Sequence, residues 1–332
     1  MPTPKKQKII NSIDFLKTHT DLPIELRGTK IYGKTEEEES VLHPAFKVYN
    51  ISNETGTGKI TVYNIFAGID LYYNDMHMAY VNKNYVAIKN MIEINHCQIG
   101  RYECSFGENS CCYMTAGDLA VISSMKKKSS SSFPLNHYHG ITIIVDIDEL
   151  SPEVRRLMEL FNIDLDYINE YIYQANRCCI IRSNPSLEHI FAELYNVREQ
   201  RKTGYMKIKM LELLLFLSDL ETIKEVHKAD YYNQNQVKLI KDVVALITED
   251  LTKHYTIEQL SKQFEISATS LKKCFHGVYG TSIYAYLRIY RLQAAQKQLI
   301  ETKFSIGEIA HKVGYENPNK FAAAFKGLYG IT

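Results

Sequence analysis

The residues of this 332-residue chain that could bind metal or carry protons and electrons are seven cysteines and a few of its eleven histidines. His137-Tyr138-His139 offers two imidazoles one residue apart, and His96 stands alone upstream. A zinc or iron centre requires a complete ligand set around one ion, and the carboxylates nearest this pair, Asp146 and Asp148, do not complete one. No metal, cofactor or catalytic residue is therefore assigned. His96, His137 and His139 remain candidate ligand-binding positions, although His139 reads first as a core or pocket residue bonded to backbone. The cysteines Cys97, Cys104, Cys111, Cys112, Cys178, Cys179 and Cys274 are odd in number and have no CxxC spacing. They read as reduced thiols that pack as small hydrophobes. A redox or metal sensor on Cys97, Cys104, Cys111 and Cys112 is the other reading. Met125 to Phe133, with KKKSSSSF, reads as a flexible polar loop whose three lysines could attract an anion.

Most of these residues lie in a region that must position them as strands. From Phe46 to Asp148 short runs of Val, Ile and Tyr alternate with turn signals, and strands are expected at Ile60 to Ala67, Met91 to Ile94, Tyr102 to Phe106, Leu119 to Ile122 and Ile141 to Ile147. Many short strands at this spacing suggest a sandwich or barrel. From Ser151 the period turns helical. Ser151-Pro152, Asp164 and Asn184-Pro185 start helices, and Lys202 to Tyr205 reads as a turn before a leucine-rich helix, Met206 to Leu220. That helix is apolar on more than one face and so needs more than one partner. Ahead of the strands, Ile9, Ile10, Ile13 and Leu16 give one short amphipathic helix, and Lys34 to Ser40 reads as an exposed link.

The last part of the chain contains an internal repeat. Thr256 with Gln259, and Ser305 with Glu308, make two capping boxes. Each opens a short helix that ends in a tight turn, at Glu265-Ile266 and at Gly314. Ser267 and Asn317 then cap second helices with buried stripes of Leu271, Cys274, Phe275 and Val278, and of Phe321, Phe325 and Leu328. Ser267 and Asn317, Leu271 and Phe321, Phe275 and Phe325, and Gly280 and Gly330 are each 50 residues apart. Between the units runs a helix from Ser282 to about Thr302, with Ile283, Leu287, Tyr290 and Ala294 on one face. It spans ~30 Å at ~1.5 Å per residue, close to the ~34 Å between successive major-groove faces of B-DNA. A further helix from about Val237 to Leu251 precedes the first unit.

In YTIEQLSKQFEISATSLKKCFHGVYG and again in SIGEIAHKVGYENPNKFAAAFKGLYG the chain resembles the DNA-binding domain of the AraC/XylS family of transcription regulators, over about its last 95 residues. The resemblance implies double-stranded DNA as partner, read by the second helix of each unit. Carried over by position, Thr269, Lys272 and Lys273 would read bases in the first unit, flanked by Ser267 and His276. Asn317, Asn319 and Lys320 would do so in the second, while Lys326 and Arg288 suit phosphates. The chain departs from the family at Ala322, Ala323 and Ala324, which cannot reach a base edge, so the second unit is expected to position more than it specifies. Arg291 is as well placed for an internal ion pair or cap as for DNA. The stretches MIEINHCQIGRYECSF and CCYMTAGDLAVISS resemble, more weakly, the cupin-type effector domain found ahead of this module, although the Glu of the cupin metal motif is missing after His139. Residues 185–221 resemble the paired helices through which family members form homodimers.

Composition is ordinary for a globular protein, 45% hydrophobic and 23% charged. Net charge is near zero but unevenly spread, with 13 Lys/Arg against 8 Asp/Glu from Gln236 onward and 26 against 30 before it. A cationic C-terminal part joined to an anionic remainder fits a nucleic-acid reader attached to a sensor. With no signal peptide or spanning segment visible, the chain reads as cytoplasmic and not membrane-bound. The expected architecture is multi-domain, β plus all-α. Residues 1–45 form an N-terminal helix and arm, 46–150 a cupin-like β-barrel sensor, 151–222 the dimerisation helices, 223–236 a linker and 237–332 an all-α domain with two helix-turn-helix motifs. The function implied is effector-responsive, sequence-specific transcription regulation, with a small-molecule effector and RNA polymerase as further partners. Two rivals are a regulator answering a protein partner or its own oligomerisation, and a metal-dependent cupin enzyme fused to a DNA-binding tail.

Overall fold

The computed structural model describes residues 36–38, 46–83, 90–106, 110–123, 129–174, 178–197, 201–219, 226–227 and 232–330. The predicted helix at Ile9 to Leu16 and half of the predicted linker lie outside them. Contacts divide the chain into two compact units, Met1–Asp230 and Tyr231–Thr332. Among the described residues no helix is long and apolar enough to cross a membrane.

The first unit is built on an antiparallel sheet with the order β1 (Glu36–Glu38), β2 (Phe46–Asn53), β3 (Gly56–Phe66), β4 (Ile69–His77), β11 (Tyr138–Asp146), β6 (Met91–Gly100), β9 (Leu119–Ser123), β12 (Cys178–Ile181) and β13 (Val226–His227). A smaller sheet runs β8 (Ser110–Met114), β7 (Tyr102–Phe106), β10 (Ser129–Ser132), β5 (Tyr80–Lys83). Successive side chains of a strand point to opposite faces, and here both faces of the larger sheet are covered. Ile92 and Ile94 of β6, Ile141, Ile143 and Val145 of β11, and Leu119 and Val121 of β9 join one core with the helices that follow. Their neighbours Met91, Cys97, Tyr138, Ile144 and Ala120 join the other core, together with Tyr102, Cys104 and Cys112 of the smaller sheet.

This double cover corrects the expected closed barrel. Among the described residues the larger sheet is open, with β1 and β13 at its ends, because helices occupy one of its faces and the smaller sheet the other. Two further expectations change. Ser129–Ser132, read as loop, is strand β10, paired with β5 and β7 and followed by the buried Phe133. Glu36–Glu38, read as an exposed link, pairs with β2. All seven cysteines are buried free thiols. Burial pushes Cys97 up to about 12 and Cys178 and Cys179 to about 11, so they stay protonated at neutral pH and lack the thiolate that sensing chemistry needs.

The helices of this unit begin where caps were expected. Ser151 Oγ accepts from Val154 N ahead of α1 (Pro152–Leu160), Asp164 Oδ1 from Tyr167 N in α2 (Leu165–Gln174), and Asn184 Oδ1 from Leu187 N ahead of α3 (Pro185–Asn196). Helix α4 (Lys202–Leu217) starts four residues earlier than the predicted Met206, so Lys202 to Tyr205 is its first turn. Met206, Met210, Leu213, Leu214 and Leu217 are buried in the helix-side core, whereas Tyr205, Ile208 and Leu215 are exposed.

His96 lies on the helix side of β6. Its ring stacks on Phe191 of α3 at 3.8 Å, and Nδ1 sits 3.0 Å from the Tyr195 hydroxyl. It therefore packs sheet against helix and does not face the space between the sheets. Burial holds its pKa down to about 3, against 6.5 when exposed. An imidazole that must be neutral to fold leaves stability untouched above pH 6.5 and erodes it as pH falls below that value, by roughly 2 kcal/mol at about pH 5. His96→Phe, which keeps the stack, is expected to flatten this acid-side loss. Urea unfolding of both proteins at about pH 7.5 and pH 5 checks it.

Candidate nucleic-acid interface

The second unit consists of α5 (Gln234–Glu249), α6 (Ile257–Gln263), α7 (Ala268–Tyr279), α8 (Ile283–Glu301), α9 (Ile306–Lys312) and α10 (Pro318–Tyr329). Helices α6 and α9 open with complete capping boxes, Thr256 with Gln259 and Ser305 with Glu308. Both end the same way: Ile266 N returns to Ser261 O at 3.1 Å and Tyr315 N to Ala310 O at 2.9 Å. The chain then turns through a positive φ, at Glu265 (50°) and at Gly314 (83°). The capping boxes are 49 residues apart while the caps of the following helices are 50 apart, so the second turn is one residue longer.

Helix α7 buries Leu271, Cys274, Phe275 and Val278, and α10 buries Phe321 and Phe325. Leu328, expected inward, is 43% exposed, whereas Val278 at the matching place is fully covered. The difference follows from α5, which packs against α7; among the described residues nothing equivalent packs on α10. In α8 the buried residues are Ile283, Arg291, Leu292 and Ala295, so its inward face is rotated from the predicted one and Leu287, Tyr290 and Ala294 are only half-buried.

Opposite the buried stripes every predicted reader is exposed. Thr269, Lys272, Lys273 and His276 share the outer face of α7, and Asn319, Lys320 and Lys326 that of α10. Ala322 and Ala323, also exposed, hold the places of Lys272 and Lys273. The two caps have a second duty. Ser267 Oγ accepts from Ser270 N at 3.2 Å, and Asn317 Oδ1 from Asn319 N at 2.8 Å. Arg288 is exposed beside Tyr315, whose phenol is raised by burial and partly lowered by this guanidinium. Arg291 is not part of the exposed face. Its Nη2 donates to Leu251 O at 2.7 Å and Lys253 O at 3.1 Å, closing the segment between α5 and α6. Gly314 lies against this contact, for a Cβ there would stand 2.0 Å from Leu251 O.

Residues 260–332 match the sequence profile described as a helix-turn-helix domain. The C-terminal unit is an AraC-type helix-turn-helix domain. YdiP, named an uncharacterised HTH-type transcriptional regulator of Escherichia coli K12, is 28% identical over 159 residues, 46% of this chain and 52% of YdiP. The transcriptional activator RhaR of Yersinia pestis is 28% identical over 141 residues, 41% of this chain and 47% of RhaR. The chain thus spans about half the length of the curated relatives it matches. The C-terminal domain of the response regulator yesN from Fusobacterium nucleatum is 31% identical, over 30% of this chain and 93% of that one, with a TM-score of 0.27.

In the first unit His137 and His139 meet residues not anticipated from sequence. His139 Nε2 is 2.9 Å from Asp75 Oδ1, and His137 Nδ1 is 3.3 Å from His77 Nδ1. Burial, then the neighbouring imidazoles, lowers the pKa of His137. Between the sheets a second set appears: Asn74 Nδ2 donates to Thr142 Oγ1 (2.9 Å), Thr142 Oγ1 to Asn95 Oδ1 (2.7 Å) and Asn95 Nδ2 to Glu93 Oε1 (2.9 Å). These four are buried, and only their even spacing within otherwise apolar strands could have disclosed them.

The AraC-type domain depends on Arg291 for the fit of α5 to the repeat. Arg291→Leu leaves two carbonyls without a charged donor and is expected to lower stability by about 2 kcal/mol. Arg288→Leu, at an exposed site, should change it by less than ~0.5 kcal/mol. Denaturant unfolding of the two variants compares them.

Proposed function

We propose that this chain is a sequence-specific DNA-binding transcription regulator and not an enzyme. In this reading α6–α7 and α9–α10 act as two helix-turn-helix units that enter neighbouring major grooves. The observation that carries it is the polar, cationic outer face of α7, rigidly backed by its buried stripe and capped at both ends. Lys272 and Lys273 read base edges, with Thr269 and His276 beside them. Lysine to a guanine edge contributes ~1 to 3 kcal/mol per good pair. On α10 the alanines at the lysine positions leave Asn319, Lys320 and Lys326 to hold phosphates, and Arg288 adds another such contact. Ser267 and Asn317 act through backbone caps more than as free readers.

The first unit of the fold is the sensor in this reading. The polar row Glu93, Asn95, Thr142 and Asn74 gives a small-molecule effector its polar partners between the sheets. The exposed Tyr205, Ile208 and Leu215 recur at helical spacing on α4 and supply an apolar seam for a homodimer through residues 185–221. Effector binding would bias how two such readers are spaced on DNA, and RNA polymerase is the further partner of a regulator so placed.

Footprinting upstream of the chain's own gene and its neighbours tests the reading. Lys272→Ala with Lys273→Ala should weaken the protected site by about 100-fold and remove its preference over unrelated DNA. Lys320→Ala should weaken both alike and reduce the salt slope by about 1. Unchanged protection by the double variant would sink the assignment. Separately, Ile208→Lys with Leu215→Lys should turn a dimer into a monomer in sedimentation experiments while the thermal transition survives.

A further inference from the structure

The ends of β4 and β11 bring four side chains to one face of a two-stranded ladder. Asp75-Met76-His77 runs antiparallel to His137-Tyr138-His139, with His139 directly opposite Asp75 and Tyr138 opposite Met76. Residues two apart share a face, so Asp75 and His77 of β4 lie beside His139 of β11 and His137 just before it. Alternation places them on the side of Tyr73, Ile141 and Ile143, the helix side of the sheet and not the space between the sheets. One ring nitrogen from each of the three histidines lies within 4.8 Å of the other two. Asp75 Oδ1 is 2.9 Å from His139 Nε2 and 3.0 Å from His77 Nε2.

Proximity is not matched by hydrogen bonding. Asp75 Oδ1 and His139 Nε2 are each sealed from solvent, yet neither has a hydrogen-bond partner despite their close approach. A buried donor or acceptor without a hydrogen bond is unfavourable, and here two such atoms face one another among imidazoles. The separation of 3.3 Å between His77 Nδ1 and His137 Nδ1 is close to the ~3.3 Å between two nitrogens on one tetrahedral zinc with bonds of ~2.0 to 2.1 Å. The side chains of His77, His139 and Asp75 are 57%, 31% and 48% exposed overall, which leaves an ion a path in. Gly100 keeps the ladder end in place, since at φ 92° it packs its α-carbon where a Cβ would meet His137 O at 2.1 Å.

We propose that His77, His137 and His139, with Asp75, form a binding site for a divalent transition ion that favours imidazole, zinc foremost. Three imidazoles suit zinc, copper or nickel over magnesium or calcium. Asp75, touching two of the rings, either completes the tetrahedron or fixes their tautomers and orientation. The site is independent of the DNA-binding reading, and its test reads metal alone.

The untagged full chain, stripped with a chelator, is titrated with Zn²⁺ and with Co²⁺. A single ion per chain is expected, with the visible d–d absorption of tetrahedral cobalt and no thiolate-to-cobalt charge transfer. His77→Gln with His139→Gln should weaken binding by about 100-fold or more, and Asp75→Asn by ~10- to 100-fold, with the metal-free thermal transition unmoved. Equal binding by the double variant, a thiolate charge-transfer band in the native chain, or no saturable binding at all would each overturn the proposal, the last reducing the four residues to a surface cluster.

Discussion

The first unit depends on one constraint: over Met91–Cys97 of β6 and Gly140–Asp146 of β11 the strands have no solvent face. Each lies between two strands of the larger sheet and between two cores, so every side chain along those stretches must be apolar or must find a partner inside. From this follow the open sheet, the linked row of Glu93, Asn95 and Thr142, and the neutral His96 seated on Phe191. The same enclosure raises the Cys97 thiol of β6, since burial that excludes water from a cysteine disfavours its charged form.

The second unit obeys a different rule. Its helices are short, and α6 and α9 have seven residues each, too few to persist without help. Capping boxes and buried stripes supply that help, and they leave the outer faces of α7 and α10 without structural duty. Chemistry can change there at little cost to stability, which is how two units of one design come to carry lysines in one case and alanines in the other.

Local features were legible in the sequence and relational ones were not. Caps, turns and the fifty-residue repeat are written in residues a few places apart, and Ser151, Asn184, Thr256 and Ser305 stand where the sequence implied. Leu328 misled because its exposure depends on which helices pack on α10, where among the described residues none packs as α5 does on α7, and Ser129–Ser132 because serine runs carry no strand signal of their own. The histidines show the limit most clearly. His137 and His139 were visible as a pair, but His77 and Asp75 lie about sixty residues earlier, and only the register of β4 on β11 unites them. Burial of His96 was equally hidden, since a single polar residue in an apolar strand does not announce which core it enters.

The extra residue in the second turn matters to anyone who would re-engineer specificity. Transplanting the proposed reading face of α7 onto α10 demands a count of 50, although the capping boxes that define the repeat count 49. Aligned by the boxes, Lys272 would fall on Phe321 and every grafted side chain would turn by ~100° about the helix axis. The chimera would bury a lysine in place of a core phenylalanine and fail as a fold before its recognition could be assayed.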